Sequence, residues 1–419
     1  MLNVFKFGGA SVKDAQGVKN LAEIVRSHPG NLVVVVSAMG KTTNALEQLL
    51  AKYIAGDHRV WDDLASIKEY HLAIANELLQ SRWPKGISEI EDEFKSLESY
   101  LKTQPTGGYS FNYDQIVSYG ELISTKIISA YLNATSISTK WVDIRTVLFT
   151  DANFREGNVD FIKSEELSSK QFQFNGKSIY VTQGFIGGTA DGHTTTLGRE
   201  GSDYTAALLA NLLDAQSVTI WKDVEGVLNA DPRVFPDAIK LDEVSFKEAI
   251  ELAYCGAQII HPKTIKPLQN KQIPLYVKSF ANPVAAGTKV YQTEERIGYP
   301  PIRIVKTNQV LISLTPRDFS FVIEDCLSRI FAVLYRNRVK ANLVQSSAIS
   351  FSICVDNEDH FLPGAIRELN SSFEVKYNKG LELLTVRHYS QEVIERMLRG
   401  KKVFLQQKTR STLRAVYQS

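Results

Sequence analysis

One of the longest apolar runs in the chain is Leu32-Val33-Val34-Val35-Val36. A short β-branched run without polar alternation marks a strand covered on both faces, as in the middle of a parallel sheet. Residues 2–9 read as a second buried strand. Between the two, Asp14 is placed to cap a helix that ends near Ser27, where His28-Pro29-Gly30 stops it. Residues 44–133 read as mostly helical, with apolar positions at helical spacing in 45–53, 64–79 and 87–101. Trp83-Pro84 and Pro105-Thr106-Gly107-Gly108 punctuate them. A further helix is expected after Asp114, carrying Ser118-Tyr119-Gly120-Glu121 toward Tyr131. The pattern then predicts strands at 136–142, 147–149 and 178–182, with a helix near 164–170. A helix at 205–213, a strand at 218–221, helices at 246–254 and 262–270 and a strand at 274–278 follow. Such alternation belongs to an α/β unit with a mainly parallel sheet.

Beyond residue 291 the rhythm changes. Residues 292–301, with Pro300-Pro301, read as a linker. Strand 303–314, helix 319–338, strands 342–347 and 349–355, helix 359–370 and strand 373–377 give βαββαβ, a ferredoxin-like order. Residues 381–388, 391–399, 402–408 and 411–418 start the same order again as β, α, β, β. This second unit lacks its closing helix and strand. With 419 residues, 44% hydrophobic and 22% charged, the chain has the bulk of a globular protein of two or three domains. Its net charge of +2 gives no reason to expect a nucleic-acid or membrane-surface partner. Three widely spaced cysteines fit a reducing compartment, and residues 1–20 show no signal-peptide pattern. A cytoplasmic location is expected.

The candidate chemistry lies in the loops at strand ends, where ligands bind in open α/β sheets. Four of these loops carry glycines. In Lys6-Phe7-Gly8-Gly9-Ala10-Ser11 the paired glycines let backbone amides form an anion-binding nest, and Lys6 adds a positive charge. That suits nucleotide phosphates, although a plain turn fits this stretch taken alone. It is neither the P-loop nor the dinucleotide fingerprint. Ser37-Ala38-Met39-Gly40-Lys41-Thr42-Thr43 and Gln183-Gly184-Phe185-Ile186-Gly187-Gly188 are the second and third. The fourth is Gly198-Arg199-Glu200-Gly201-Ser202-Asp203, where Ser202 or Asp203 can cap the next helix and its N-terminus attracts anions. Asp223-Val224-Glu225-Gly226-Val227, after the strand that ends at Trp221, and Asp231-Pro232-Arg233 are turn residues first and a nucleotide-base pocket second. Gly120 costs about 1 kcal/mol relative to alanine inside a helix. Its neighbour Glu121 is therefore either a solvated carboxylate or one that reaches a ligand's ammonium group. His261 has no ligand-spaced partner and reads as structural.

Taken in order with Asp223-Val224-Glu225-Gly226 and His261-Pro262, these motifs resemble those of the aspartate kinases. The resemblance covers about residues 1–291 as the catalytic domain, and the tail resembles the family's paired ACT domains at 302–377 and, truncated, at 378–419. It implies the amino-acid-kinase (carbamate-kinase-like) fold, a three-layer α/β/α sandwich followed by ferredoxin-like ACT domains. The implied reaction is ATP-dependent phosphorylation of the L-aspartate side-chain carboxylate, the first step toward lysine, threonine and methionine. Lys6 and Asp203 are then catalytic. Ser37, Thr43, Glu121, Phe185, Arg199 and Ser202 would hold aspartate. Lys6, Gly8, Gly9, Ser11, Trp221, Lys222, Asp223, Asp231, Arg233 and Gln258 would hold ATP, with Mg2+ carried largely on its phosphates. A homodimer through the ACT domains is implied as well. The chain departs from the family pattern at Ala10, Leu228 and Gln258, which stand for a common threonine, tyrosine and phosphate-contacting lysine. Lys263 or Lys222 is placed to supply that last charge. Asn342 stands where the family's effector-binding strand carries an acid.

Overall fold

The computed structural model describes residues 1–79, 83–176, 178–257, 260–295, 297–317 and 321–418. The chain divides into two compact units. The first comprises Met1–Val227, Lys240–Ala253 and Gln258–Ile297; the second comprises Leu228–Ile239, Tyr254–Ala257 and Gly298–Ser419.

The first unit is built on eight strands: β1 (Leu2–Phe7), β2 (Asn31–Val36), β3 (Lys140–Val142), β4 (Ile179–Gln183), β5 (Ser217–Lys222), β6 (Glu243–Ser245), β7 (Leu275–Ser279) and β8 (Thr288–Tyr291). Their order across the sheet is β6-β8-β7-β5-β1-β2-β4-β3. Every neighbouring pair is parallel except β7 with β8, so the sheet is mixed. The central strands β1 and β2 bury both faces, which is why their sequences show little alternation. On one face, Phe5, Phe7, Val34 and Val36 join the core formed with helix Ala15–Ser27 and the helices of the 42–134 region. On the other face, Lys6 points to helix Gly201–Leu212. Helices on both faces make this the expected three-layer α/β unit.

Local signals account for much of this. Asp14 caps helix Ala15–Ser27, its carboxylate accepting from the Gly17 amide at 2.8 Å. Helices Phe246–Tyr254 and Pro262–Asn270 fall where the periodicity puts them. His261 caps the latter through Nδ1, which accepts from the Lys263 amide. Three expectations are corrected. The helix after Asp114 is two helices, Gly108–Val117 and Tyr119–Ala134, and Asp114 lies inside the first. The strand at 136–142 shrinks to β3, and the 147–149 strand is replaced by a single bridge from Phe149 to Gly188 after a 3-10 turn. Helix 205–213 begins at Gly201, because Glu200 adopts a left-handed backbone (φ 54°) and turns the chain four residues early.

The second unit carries a six-stranded antiparallel sheet in the order Ala341–Ser346, Phe351–Asp356, Ile302–Pro316, Phe373–Arg387, Thr412–Gln418, Lys402–Lys408. The two central strands are each 15 residues long. Each serves both ferredoxin-like halves. Residues 311–316 and 373–378 pair in the first half, with helices Glu324–Arg336 and Leu362–Leu369. Residues 302–306 pair with 383–387 in the second half. The closing-strand position missing from the second half is therefore filled from upstream, by the beginning of the tail. A bulge between Lys306 and Leu311 marks the change of partner. The sheet curls: Gln407 Nε2 on one edge strand donates to the Val344 carbonyl on the other at 2.6 Å. Among the described residues no helix is long and apolar enough to cross a membrane.

Candidate functional site

The C-terminal end of β1 and the start of helix Gly201–Leu212 bring two charges together. Lys6 Nζ lies 2.7 Å from Asp203 Oδ1, and both side chains are nearly buried. Lys222, at the end of β5, approaches the other oxygen of Asp203 at 3.8 Å. Burial alone would push the Asp203 carboxyl up, but Lys6 and then Lys222 outweigh it and hold it below the ordinary range. The carboxylate thus orients two ammonium groups at the sheet edge.

Beside them, the chain after β1 turns tightly. The Ser11 and Val12 amides donate to the carbonyls of Gly8 and Gly9. Gly9 is required by a close approach: a methyl group on it would lie 2.6 Å from the Ala38 carbonyl oxygen. The Gly40 amide donates to the Gly9 carbonyl at 3.0 Å, so the loops after β1 and β2 are joined. Gly8 lies beside the Lys6 ammonium, with 3.5 Å between Nζ and the position of an added methyl.

Gly120 solves its own puzzle in the same way. An added methyl would come within 2.9 Å of the Ala38 side chain. Its absence lets helix Tyr119–Ala134 press on the 37–43 loop and delivers Glu121 to it. Glu121 is buried, and its Oε1 accepts from the Ala38 amide at 3.2 Å. Its Oε2 is buried with no hydrogen-bond partner. Burial pushes this carboxyl up to about 8, opposed by the amides of Ala38 and Glu121 and by the nearby Lys6 charge. Thr125 Oγ1, Gln183 and Trp141 Nε1 form a buried chain of hydrogen bonds that braces the same helix. Ser124 donates to the Ser37 carbonyl at 2.8 Å.

The third and fourth loops close around helix Gly201–Leu212. Phe185 takes a left-handed backbone (φ 71°), its amide donates to Thr205 Oγ1, and its carbonyl accepts from Leu197. Ser202 is buried against Gly184, and Arg199 is exposed at the loop tip. Lys263 Nζ reaches the same loop, 3.8 Å from where a methyl on Gly198 would sit. Asp114, read from the sequence only as a helix start, accepts from the Thr196 amide and hydroxyl and the Arg155 amide at 2.8–2.9 Å. Its signal was an acid set close to Tyr113, Ile116 and Val117 inside a helix.

The structure thus groups Lys6, Gly8, Gly9, Ser11, Ser37, Thr43, Glu121, Phe185, Ser202, Asp203 and Lys222 on strand ends, loops and helix starts at one end of the sheet. Trp221 departs from expectation. Its indole stacks on Phe7 with ring centroids 6.0 Å apart, on the sheet face opposite Lys6, so a nucleotide contact here would have to use the main chain. Asp223 is exposed beyond β5. Asp231 and Arg233 belong to the second unit, where they pair with each other at 2.7 Å in a tight turn. Gln258 lies outside the described residues. Among the described residues, no group of three or more histidines, cysteines or acids is set to hold a metal ion.

A family model, the amino acid kinase family, matches residues 1–279. The chain is 33% identical to the lysine-sensitive aspartokinase 3 of Escherichia coli over 91% of this chain and 86% of that protein. It is 35% identical to the bifunctional aspartokinase/homoserine dehydrogenase 2 of Arabidopsis thaliana, spanning 70% of this chain but only 33% of that enzyme. Among solved structures, E. coli aspartokinase III in complex with aspartate and ADP (R-state) superposes with a TM-score of 0.83 at 31% identity. The match covers 100% of this chain and 96% of that one. The same enzyme with lysine and aspartate (T-state) gives 0.81 at 30% identity, covering 99% and 95%.

Proposed function

The chain belongs to the aspartokinases of the amino acid kinase family, and from that premise we propose how its residues transfer a phosphoryl group from ATP to the side-chain carboxylate of L-aspartate. The observation that carries the assignment of roles is the pair of buried carboxyls that feel the Lys6 charge. Asp203 is already neutralised by cations of the chain, whereas Glu121 has an oxygen still to satisfy.

The acceptor is a carboxylate, ionised at neutral pH, so no general base is needed. One of its oxygens attacks the γ-phosphorus, the bond to the β,γ-bridging oxygen breaks, and ADP leaves with that electron pair. The protein's task is to align the partners and to stabilise charge on the phosphoryl oxygens. Lys6, with Gly8, Gly9 and Ser11, faces the phosphates, and Asp203 aims the ammonium. Lys222 and Lys263 add positive charge. Arg199 forms a bidentate pair with the α-carboxylate. Glu121 Oε2 takes the α-ammonium, with Ser37, Thr43, Phe185 and Ser202 closing the site. Mg2+, when bound, neutralises the phosphates and is held mainly by them; Asp203, engaged by two lysines, is suited to order its water shell rather than to cage it. Asp223 and Gln258 remain our candidates for the rest of the nucleotide.

We assign residues 1–291 to catalysis and 302–419 to the two ACT-like halves, and we expect a homodimer through the latter. Exposed Phe321, Ile323, Phe331 and Tyr335, around helix Glu324–Arg336, support that surface. Three buried, widely spaced cysteines support a cytoplasmic enzyme. The direct test is trapping of the acyl phosphate with hydroxylamine. Product that requires both Mg-ATP and aspartate is expected; its absence at saturating concentrations would refute the assignment.

A further inference from the structure

Helix Val60–Leu79 lies in the helical region of the first unit and carries none of the proposed ligand-binding residues. Two of its side chains nonetheless reach the two loops that do. Tyr70 donates its hydroxyl to the Lys13 carbonyl, just beyond the Gly8-Gly9 turn. The same hydroxyl lies against Gly40, where an added methyl would come within 2.7 Å of it. His71 is wholly buried, with Nδ1 2.7 Å from the Ile67 carbonyl and Nε2 3.2 Å from Thr42 Oγ1.

The proton inventory fixes the roles. A carbonyl only accepts, so Nδ1 carries the ring proton and Nε2 presents a lone pair. Burial pushes this histidine down to about 4, opposed by the Ile67 bond, so the ring is neutral across the working range. The Thr42 hydroxyl is then the donor to Nε2. That hydroxyl also lies 2.6 Å from the Met39 carbonyl, so a single proton serves two acceptors at the first residue of helix Thr42–Ala55. The next residue is Thr43.

We infer that Tyr70 and His71 are positioning residues for phosphoryl transfer: Tyr70 fixes the phosphate-side loop against the 37–43 loop, and His71 fixes the helix start that presents Thr43 to aspartate. The inference rests on the reading of Gly8, Gly9 and Thr43 given above. It adds a support from outside the site. The backbone bond from Gly40 to Gly9 joins the two loops at their tips; Tyr70 and His71 hold them from behind. In-line transfer is sensitive to such supports, since a displacement of about 1 Å can cost ~10²-fold in rate.

The test uses the full chain with three variants: Tyr70→Phe, His71→Leu and His71→Gln. The readouts are kcat, KM for aspartate, KM for Mg-ATP and the thermal midpoint. His71→Leu is expected to raise the aspartate KM about 5–10-fold and leave the ATP KM within about twofold. His71→Gln, whose amide oxygen can accept from Thr42, recovers most of that loss. Tyr70→Phe lowers kcat several-fold with both KM values little changed. The inference is overturned if the His71→Leu constants stay within about twofold of wild type, or if Leu and Gln variants behave alike. Should His71→Leu fail to fold, Tyr70→Phe decides, since it removes one hydroxyl from a partly exposed side chain; unchanged kcat refutes the idea. Wild-type protein without aspartate-dependent turnover would instead remove the underlying reading, and this inference with it.

Discussion

Two buried carboxyls feel the charge of one ammonium group, Lys6, and their surroundings drive them in opposite directions. Asp203 meets Lys6 at 2.7 Å and Lys222 at 3.8 Å, and its carboxyl is held below the ordinary range despite burial. Glu121 meets backbone amides alone, keeps Oε2 without a hydrogen-bond partner, and is pushed up to about 8. Burial is common to both, so the difference lies in whether the fold supplies the countercharge. At Asp203 it does, and the result is a fixed, preorganised electrostatic device. At Glu121 it does not, and under our proposal the missing cation is the one the zwitterionic substrate brings. On that proposal the phosphate half and the ammonium half of the site differ already in the free protein.

The largest effect should come from breaking the preorganised half. Lys6→Met removes the nearest phosphate-facing charge and leaves Asp203 buried beside only the more distant Lys222. Turnover should fall by about 10²–10³-fold, the scale of losing one preorganised donor to a charged transition state. Single-turnover kinetics with thermal denaturation would check it. A loss of stability without a loss of kcat would show that the pair is structural. Glu121→Gln should come next. It keeps the shape but not the charge, so the aspartate KM should rise by about 10–100-fold, as for a charged hydrogen bond, with kcat nearly unchanged.

The pH dependence sharpens the same contrast. Below about 8 Glu121 is neutral in the free protein. Binding an ammonium group requires its carboxylate, so the aspartate KM should fall up to about tenfold per unit from pH 6 to 8 and then level off. Calorimetry in buffers of different ionisation enthalpy should detect nearly one proton released on binding. Glu121→Gln should abolish both. The stability signs are opposite for the two groups. With its folded value raised above 4.5, Glu121 makes the protein lose stability as pH rises from about 4.5 to 8. Asp203, with its folded value lowered, contributes stability above the ordinary carboxylate range that is lost in acid. A pH–stability curve for Glu121→Gln that matches wild type over pH 5–8 would contradict this account.

How much of this was legible in the residues themselves follows from which interactions are local. The Asp14 cap, the β2 run and helices at 246–254 and 262–270 are set by near neighbours, and they were read correctly. Gly120-Glu121 could be flagged as odd but left open, because the reason is a contact with Ala38, 82 positions earlier in the chain. The early start of helix Gly201–Leu212 depends on a left-handed Glu200, for which an acidic side chain gives no signal. Strands Glu243–Ser245 and Thr288–Tyr291 are too short for periodicity to reveal. The second ACT-like half reads as truncated because its fourth strand, at 302–306, lies far upstream of its first, at 383–387. Trp221 reads as the end of a strand, and the resemblance places it at the nucleotide, yet strand alternation turns it away from Lys6 and onto Phe7.

The smallest effect should belong to Lys222, and it tests whether Asp203 needs both of its cations. Lys222 Nζ is 3.8 Å away, and its side chain is twice as exposed as that of Lys6. A longer, wetter ion pair is weaker and more readily screened; exposed pairs contribute about 0.2–1 kcal/mol. Lys222→Met should therefore raise the ATP KM only about twofold to fivefold, with kcat close to wild type. The defect should narrow as potassium chloride rises from about 0.05 to 0.5 M, because salt already weakens the wild-type contact. The Lys6→Met defect should persist, since a buried contact at 2.7 Å is poorly screened. Steady-state kinetics at the two salt concentrations separates the cases. If Lys222→Met matched Lys6→Met in size and salt response, the two cations would be equivalent, and the pairing of Lys6 with Asp203 could no longer be singled out as the fixed element of the site.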